Sequence, residues 1–362
     1  MIHPRAAVFQ GPGSPFLLQD LPPFDLPGPG ECLVQITLAT LCGSDLHTYT
    51  GRRHGPTPCI LGHEAVGRVL AVGEGRDPAL VGSRVTWTLA DSCGECAPCS
   101  RWKLPQKCDH LFKYGHAPLT DGSGLNGCYS THILLRAGTT VVPLPDSITD
   151  SMAAPANCAL ATMIAVLRDL PSPQDTVIIQ GAGLLGLYGT ALLHTAGWRR
   201  VIVVDRNPER LRRVPSMGGI PALDTARDLV PAHTADVVIE VAGSPDLIPE
   251  GIQLLRPGGH YAWVGMVHPE SRLQLTGEAV IRGCLHIHGT HNYTPADLID
   301  AVHFLQRHAT RFPWESLVSD PLPIAQLDEA FALAATGQWP RVAISPTAQC
   351  VQHAPVARSG LI

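Results

Sequence analysis

The chain has 362 residues, of which 45% are apolar and 16% charged, and its net charge is -5. This length allows two domains with separate cores, and the composition excludes a disordered chain. No run of basic residues suits a phosphate backbone, so we expect no nucleic-acid partner. The sequence shows neither a signal-peptide pattern nor a membrane-spanning apolar run, so we expect a soluble, cytoplasmic protein with no membrane partner.

The first part of the chain contains short β-like runs that glycine and proline separate. The runs are residues 5–10, 31–38, 65–73, 82–90 and 131–137. Apolar and β-branched residues bounded by turn residues are typical of strands. This part therefore predicts an all-β unit.

The pattern changes at about Ser151. An alanine-rich stretch with helical spacing covers residues 151–170, and a second helical run covers 184–197. Strand-like runs alternate with helical ones from there on, at residues 175–180, 199–205, 235–243, 260–266 and 285–291. Such alternation predicts a parallel, doubly wound sheet.

The end of the chain predicts two more helices and one strand. The helical runs cover 298–308 and 325–337, and the strand-like run covers 340–344. The residues beyond 346 show no comparable pattern, so we expect an unanchored tail.

A glycine-rich turn follows the first strand-like run of the alternating part. Gly181, Gly183 and Gly186 form G-x-G-x-x-G, with Leu184 and Leu185 inside the motif. The first glycine permits a tight turn, the second lets a pyrophosphate approach the backbone, and the third lets helix and strand pack closely. A helix N-terminus also attracts phosphate groups. These five residues therefore predict a dinucleotide site.

Asp205 ends the next strand-like run and indicates which dinucleotide is bound. A carboxylate at this place accepts a hydrogen bond from the ribose 2′-hydroxyl and repels a 2′-phosphate. Arg206 and Arg210 follow closely and would partly screen that repulsion. The sequence therefore favours NAD over NADP, with Asp205 and Arg206 beside the ribose.

Four cysteines lie close together in the segment CGECAPCSRWKLPQKC. They are Cys93, Cys96, Cys99 and Cys108. Four thiolates in one loop suit a closed tetrahedral zinc site. An iron–sulfur cluster is the alternative, but a bacterial ferredoxin motif places its last cysteine nearer and before proline, whereas Asp109 follows Cys108. The segment predicts a structural zinc site.

Several motifs together resemble those of the zinc-containing alcohol dehydrogenases of the medium-chain dehydrogenase/reductase superfamily. The motifs are CGSDLH (42–47), GHEAVG (62–67), the cysteine segment, AAPANCA (153–159), the glycine turn and RVAI (341–344). They cover most of the chain in the family's order. The resemblance implies an α/β fold in which a GroES-like, β-rich catalytic domain is joined to a Rossmann domain.

The resemblance also implies domain limits and an assembly. We expect a GroES-like domain at 1–152 and a Rossmann domain at 153–295. The chain should then return to the catalytic domain at 296–345 and end in a flexible tail at 346–362. The active site should lie in the cleft between the domains. Family members are dimers or tetramers, so we expect a homodimer or homotetramer joined near 260–266 and 285–291.

The resemblance assigns a second, catalytic zinc site. Cys42, His63 and Cys158 match the family's zinc ligands, which leave a fourth position for water or the substrate. Glu64 matches a carboxylate that approaches the metal during ligand exchange. Asp45 matches the carboxylate that orients the zinc-bound histidine.

Three further residues match family positions that handle the proton or the cofactor. Ser44 matches the hydroxyl that takes the alcohol proton, and His47 matches the outer end of a relay to solvent. Arg341 matches an arginine that faces the cofactor pyrophosphate. The implied activity is a reversible hydride transfer between an alcohol and NAD.

Two features depart from the family pattern. The cysteine segment has eight residues before its last cysteine, where the family usually has seven. Gly43 stands where some classical members carry a phosphate-binding arginine, and branches that resemble polyol and threonine dehydrogenases share this replacement of the arginine. We therefore expect the cofactor phosphates to depend more on the helix terminus.

The substrate is less well defined by these motifs. The segments LPQKCDHLFKYGH and AAPANCALAT resemble a bacterial subgroup that gene neighbourhood associates with phosphonate catabolism. Lys113, Tyr114 and His116 would then line the cleft and offer a cation to an anionic substrate. We expect the alcohol to be a polyol, an amino alcohol or a hydroxyalkylphosphonate.

Other functions remain open on the sequence. A carbonyl reductase of a biosynthetic pathway would carry the same motifs. A zinc-free reductase of the superfamily, or a cofactor-binding protein without activity, would not need Cys42, His63, Glu64 and Cys158, so the presence of all four argues against both.

Overall fold

The computed structural model describes residues 2–24 and 26–346 of the chain. The predicted tail, 346–362, lies outside these residues except for Pro346. The described chain has a strand-rich part, a part in which strands and helices alternate, and a C-terminal part that returns to the first sheet.

The strand-rich part lies where the sequence predicts an all-β unit. Its strands are β1 (Arg5–Phe9), β2 (Leu17–Asp20), β3 (Cys32–Thr40), β4 (Cys59–Ile60), β5 (Glu64–Val72), β6 (Arg84–Trp87), β7 (Ala90–Asp91), β8 (Phe112–Lys113), β9 (His132–Leu135) and β10 (Val141–Pro143). Its helices are α1 (Gly43–Tyr49) and α2 (Ala97–Ser100). The main sheet contains the path β10-β6-β5-β3, and β2-β1-β4 form a smaller sheet. The strands of this part pair in antiparallel fashion.

The alternating part forms the predicted parallel sheet. Its elements are α3 (Asp150–Ala153), α4 (Ala159–Arg168), β11 (Thr176–Gln180), α5 (Leu184–Ala196), β12 (Arg200–Asp205), α6 (Pro208–Leu211), β13 (Ile220–Leu223), β14 (Ala235–Glu240), α7 (Ile248–Leu254), β15 (Leu255–Trp263), α8 (Gly277–Gly283) and β16 (His286–Gly289). All pairings are parallel, in the order β13-β12-β11-β14-β15-β16. The order reverses between β11 and β14, where doubly wound sheets bind nucleotides. The predicted fold class is confirmed.

The C-terminal part returns to the first sheet. It contains α9 (Pro295–Arg307), β17 (Leu322–Pro323), α10 (Leu327–Ala335) and β18 (Ala343–Ser345). β18 pairs with β3 and so extends the main sheet. Thr294 and Asp297 form a capping box that starts α9 before the predicted residue 298. The exact domain limits stay a prediction.

The predicted helix over 151–170 is wrong in one respect, because it is broken. Two helical pieces, Asp150–Asn157 and Ala159–Arg168, meet at an angle of 55°. Pro155 cannot donate the backbone hydrogen bond that a continuous helix needs at its position. Cys158 lies at the junction with φ -127° and ψ -72°, which is not helical. The break leaves Cys158 free to face the first sheet.

The broken helix belongs to a shared apolar core. Side chains of α4 pack with those of α5, of the parallel sheet and of β3 and β5 in one buried cluster. No single described helix is long and apolar enough to span a membrane. The bent pair that contains α3 and α4 is long and apolar enough by length and composition alone, but most of α4 is buried in this core.

The glycine turn provides a stability test with a matched control. A Cβ at Gly186 would lie 1.9 Å from the carbonyl oxygen of Gly181, whereas a Cβ at Gly183 would meet nothing within 4 Å. We therefore expect Gly186→Ala to lower the free energy of unfolding by about 3 kcal/mol or more. Gly183→Ala, at the N-cap of α5, should cost at most about 1 kcal/mol. Urea unfolding measures both, and equal losses would contradict this packing account.

Candidate active site

Strand pairing brings three chain segments to one edge of the main sheet. Thr40 at the end of β3 lies opposite Glu64 at the start of β5 and opposite Ala343 in β18. Cys42 therefore follows β3, and Arg341 precedes β18, at this same edge. The sequence could not show this proximity, because the three segments are far apart along the chain.

Four side chains meet at this edge in a geometry that suits a metal ion. One ligand atom from each of Cys42, His63, Glu64 and Cys158 lies within 4.8 Å of the others. Cys42, His63 and Glu64 are buried, and Cys158 is half-buried. The structure thus brings together the predicted ligands of the catalytic zinc.

Asn157 and Tyr293 hold the chain at Cys158. The side-chain amide of Asn157 donates hydrogen bonds to the carbonyl oxygens of His63 and Trp87, both at 3.0 Å. The hydroxyl of Tyr293 donates to the carbonyl oxygen of Asn157 and accepts from the backbone N–H of Leu89, between β6 and β7. The sequence analysis missed both residues, although the asparagine beside Cys158 was visible in AAPANCA.

Asp45 connects the cysteine and histidine of this cluster. Its Oδ2 accepts from the backbone N–H of Cys42 at 2.9 Å and from the hydroxyl of Tyr129 at 3.0 Å. Its Oδ1 lies 3.5 Å from Nδ1 of His63. Neither of these last two atoms has a hydrogen-bond partner elsewhere in the described chain. This arrangement turns Nε2 of His63 toward the thiols, as the predicted role of Asp45 requires.

Glu64 forms a buried ion pair with Arg341. The arginine donates from Nε and Nη2 to the two carboxylate oxygens at 2.7 and 2.8 Å, and Thr40 donates to Glu64 at 2.7 Å. Burial raises the pKa of Glu64 to about 7, and the charge of Arg341 opposes this rise. Arg341 is only 6% exposed. Its predicted contact with the cofactor pyrophosphate stays a prediction.

The thiol of Cys42 is prepared to ionise. The hydrogen bond from Cys158 and the charge of Arg341 lower the pKa of Cys42 well below its usual value, and burial opposes them. Nη2 of Arg341 lies 3.5 Å from Sγ of Cys42. A thiolate is the form of cysteine that binds metal ions.

Ser44 and His47 lie on α1, directly after Cys42. Both side chains are half-buried. Burial, and then the charge of Arg52, lower the pKa of His47, which favours the neutral form of its ring. No hydrogen bond joins the side chains of Ser44 and His47 in the described structure, and their relay roles stay predictions.

The cysteine segment forms a second cluster. The four Sγ atoms of Cys93, Cys96, Cys99 and Cys108 lie within 4.8 Å of one another. The backbone N–H groups of Cys93 and His110 both donate to Sγ of Cys108 at 3.3 Å. A short 3-10 turn before the last cysteine accommodates the longer segment. Such N–H groups stabilise negative sulfur, as a tetrathiolate site requires.

The glycine turn and Asp205 form the nucleotide end of the site. Gly181 has φ +120°, and Gly183 begins α5 without a side-chain cap, so the first N–H groups of that helix are available to an anion. Of the two leucines in the motif, Leu184 is buried and Leu185 half-buried.

Asp205 is fixed by backbone contacts at the end of β12. Its carboxylate accepts from the N–H groups of Ala182 and Asn207, both at 2.8 Å. Arg210 lies 3.9 Å away, and Arg206 is exposed. The carboxylate therefore lies beside the glycine turn.

Comparisons with known proteins agree with this geometry. Two family models match, Alcohol dehydrogenase GroES-like domain over 28–146 and Zinc-binding dehydrogenase over 185–307. A probable zinc-binding alcohol dehydrogenase of Mycobacterium tuberculosis is 32% identical over 269 residues, 72% of this chain and 68% of that protein. The chain belongs to the zinc-binding dehydrogenases of the medium-chain superfamily. The resemblance to this family is confirmed, and the protein is an enzyme of the dehydrogenase class.

Other relatives of the dehydrogenase cover more than nine-tenths of its length. A sorbitol dehydrogenase of Halalkalibacterium halodurans is 28% identical over 342 residues, 91% of this chain and 96% of that protein. An alcohol dehydrogenase from Thermotoga maritima superposes with a TM-score of 0.88 at 28% identity, covering 95% of this chain and 100% of that one. The GroES-like and Rossmann folds are thereby confirmed. The narrower resemblance to the phosphonate-associated subgroup stays a prediction.

The buried ion pair of the dehydrogenase makes a testable prediction. Arg341→Met leaves the carboxylate of Glu64 buried without its cation, so we expect a loss of about 3–5 kcal/mol in the free energy of unfolding. The loss should be smaller at about pH 6 than at about pH 8, because the carboxyl then takes up a proton at lower cost. Urea unfolding at both pH values measures it. The double variant with Glu64→Gln should recover at least half of the loss, and an unrecovered loss would contradict the account.

Proposed function

We propose that this dehydrogenase is zinc-dependent and NAD-linked, and that it transfers hydride reversibly between an alcohol and the nicotinamide. The observation that carries the proposal is the buried cluster of Cys42, His63 and Cys158, with Glu64 beside it. These residues come from three separate segments, which is difficult to explain without a shared ligand.

The donor set fits zinc. Two thiols and one imidazole nitrogen are a ligand combination that zinc accepts in catalytic sites, with a fourth position left open; the handful of known sets includes that of alcohol dehydrogenase itself. Cys42, His63 and Cys158 would hold the ion. When bound, zinc supplies a Lewis acid that polarises an alcohol or carbonyl oxygen. The cysteine segment would hold a second, structural zinc ion.

The residues around the cluster would manage the proton. Ser44 lies two residues after Cys42 and would take the proton of the alcohol. His47, one turn further along α1, would pass it to solvent, since its lowered pKa leaves the ring able to accept it. Asp45 would keep the ring of His63 in the orientation needed for metal binding.

The nucleotide end would select NAD. The turn with Gly181, Gly183 and Gly186 would hold the pyrophosphate with Leu184 and Leu185, and Arg341 would face it from the catalytic part. Asp205 would accept hydrogen bonds from the ribose, because its carboxylate is held beside the turn by two backbone N–H groups. Arg210, 3.9 Å from that carboxylate, and the exposed Arg206 would only partly screen its repulsion of a 2′-phosphate.

The domain limits and the assembly belong to this proposal. We place the GroES-like domain at 1–152, the Rossmann domain at 153–295 and the return at 296–345. β16 is the last strand of the parallel sheet, so a homodimer or homotetramer would form through that edge.

The substrate range is open within alcohols. A sorbitol dehydrogenase among the relatives favours a polyol, and the sequence also suggests an amino alcohol or a hydroxyalkylphosphonate. Two alternatives differ in measurable ways. A carbonyl reductase would work mainly in the reverse direction, and a zinc-free reductase would contain no metal.

Metal content and turnover test the proposal together. The purified protein should contain about two zinc ions per chain and form NADH from at least one alcohol of a panel of simple alcohols, polyols, amino alcohols and hydroxyalkylphosphonates, with NAD preferred over NADP. Cys42→Ala should retain about one zinc ion and lose turnover. Cys284→Ala, which removes an exposed cysteine outside both clusters, should change neither quantity.

Two outcomes would contradict the proposal. A protein without zinc would favour the zinc-free reductase. Full turnover by Cys42→Ala would show that the predicted ligand takes no part in the chemistry.

A further inference from the structure

Two basic residues, Lys113 and Arg53, lie beside the metal cluster. Lys113 ends β8, directly after the cysteine segment, and Arg53 follows α1; both side chains are half-buried. Burial and the charge of Arg53 lower the pKa of Lys113, while the charges of Cys158 and Cys42 act in the opposite direction. The backbone N–H of His116 donates to the carbonyl oxygen of Lys113 at 3.2 Å, and the ring centre of His116 lies 5.5 Å from that of His63, so Lys113 lies close to the metal cluster.

Arg53 is fixed in place next to this metal cluster. Its backbone N–H donates to the carbonyl oxygen of His47 at 2.9 Å. Its Nη1 lies 3.2 Å from Nε2 of His116, whose ring centre is 5.5 Å from that of His63. Because a guanidinium can only donate, Nε2 of His116 accepts this hydrogen bond. His116 is thus a positioning residue for Arg53.

The two cations have no counter-charge among the described residues. No carboxylate lies within 4.0 Å of Lys113 or Arg53, and the ammonium of Lys113 has no hydrogen-bond partner in that part of the chain. The buried carboxylates of the site are already engaged, Asp45 with His63 and Glu64 with Arg341. Two neighbouring, half-buried cations without a carboxylate partner repel each other, which is typical of a site that binds an anion.

Zinc would strengthen this effect. Two thiolates with a divalent cation have no net charge, so the thiolates of Cys42 and Cys158 would no longer compensate Lys113. The chain as a whole carries a net charge of -5. In an acidic protein, the two positive charges of Lys113 and Arg53 beside the reaction centre attract anions to that place.

We propose that Lys113 and Arg53 form a subsite for a phosphoryl-type dianion, a phosphate or phosphonate group carried by the alcohol substrate. The inference rests on the proposed dehydrogenase function and names its substrate class. Arginine offers paired N–H donors to two oxygens of such a group, and lysine offers a point charge to the third. Two positive charges match a dianion better than the single charge of a carboxylate. The subsite would hold the substrate by this group while its hydroxyl reaches the metal cluster.

Paired substrates test the subsite by kinetics. 2-Hydroxyethylphosphonate and its dimethyl ester contain the same alcohol with and without charge, and the wild type should favour the acid by at least about tenfold in kcat/KM. Lys113→Gln and Arg53→Gln should each raise KM for the acid by about tenfold or more and leave KM for the ester within about twofold. Lys103→Gln removes an exposed charge from the neighbouring loop and is the matched control.

Binding of an unreactive anion gives a readout without turnover. Methylphosphonate should bind the zinc-containing enzyme in calorimetry, and its affinity should fall by about tenfold or more in Lys113→Gln but not in Lys103→Gln. If methylphosphonate binds and no alcohol is oxidised, the dehydrogenase proposal fails and the subsite stands. If alcohols are oxidised and methylphosphonate does not bind, the subsite fails and the dehydrogenase stands.

Three further results would overturn the subsite. The first is equal kcat/KM for the acid and its ester. The second is a preference for 3-hydroxypropionate, a carboxylate, over the phosphonate, which would contradict a dianion site. The third is a rise in KM for NAD in Lys113→Gln that is the same with every alcohol substrate. The cations would then bind the cofactor phosphates and not the substrate.

Discussion

The hydrogen bonds of the Asn157 side chain to the carbonyl oxygens of His63 and Trp87 are the constraint on which the site depends. They connect the broken helix to the edge of the main sheet where β3 ends and β5 begins. Cys158 follows directly, at the interruption of the helix, and its thiol lies within 4.8 Å of that of Cys42. The site therefore depends on an interrupted helix, and the buried hydrogen bonds of the Asn157 amide stabilise that interruption.

Charge balance is the second principle of the site. Glu64 is buried with Arg341 and Thr40, and the same arginine reaches Cys42, so the acid, the thiol and the cation form one unit. Breaking such a unit is costly because any member left alone is a buried, unpaired charge. Among the described residues, Lys113 has no carboxylate within 4.0 Å. In the proposed function, the charges beside the metal would be neutralised and the charge of Lys113 would remain available to a substrate.

The sequence predicted the two sheet types and the glycine turn because these depend on local pattern and short spacing. The sequence also predicted that the four cysteines of the loop form one cluster, since a single segment contains them all. The catalytic cluster could be named only by family resemblance, because strand pairing brings Cys42 and His63 together and no spacing shows it. The break at Cys158 was missed because helical periodicity continues on both sides. Tyr129 and Tyr293 were missed because their partners, Asp45 and Asn157, lie far away in sequence.

The central claim is that Asn157 places Cys158 in a metal site distinct from the cysteine loop. Cadmium-113 NMR of the wild type and of Asn157→Leu, after exchange of both metal ions, tests it most directly. We expect two wild-type signals, one from a tetrathiolate site and one from a site with two thiolates and an imidazole. Asn157→Leu should shift or lose only the second signal, and the first then shows that the chain remains folded. Two unchanged signals in the variant would contradict the account.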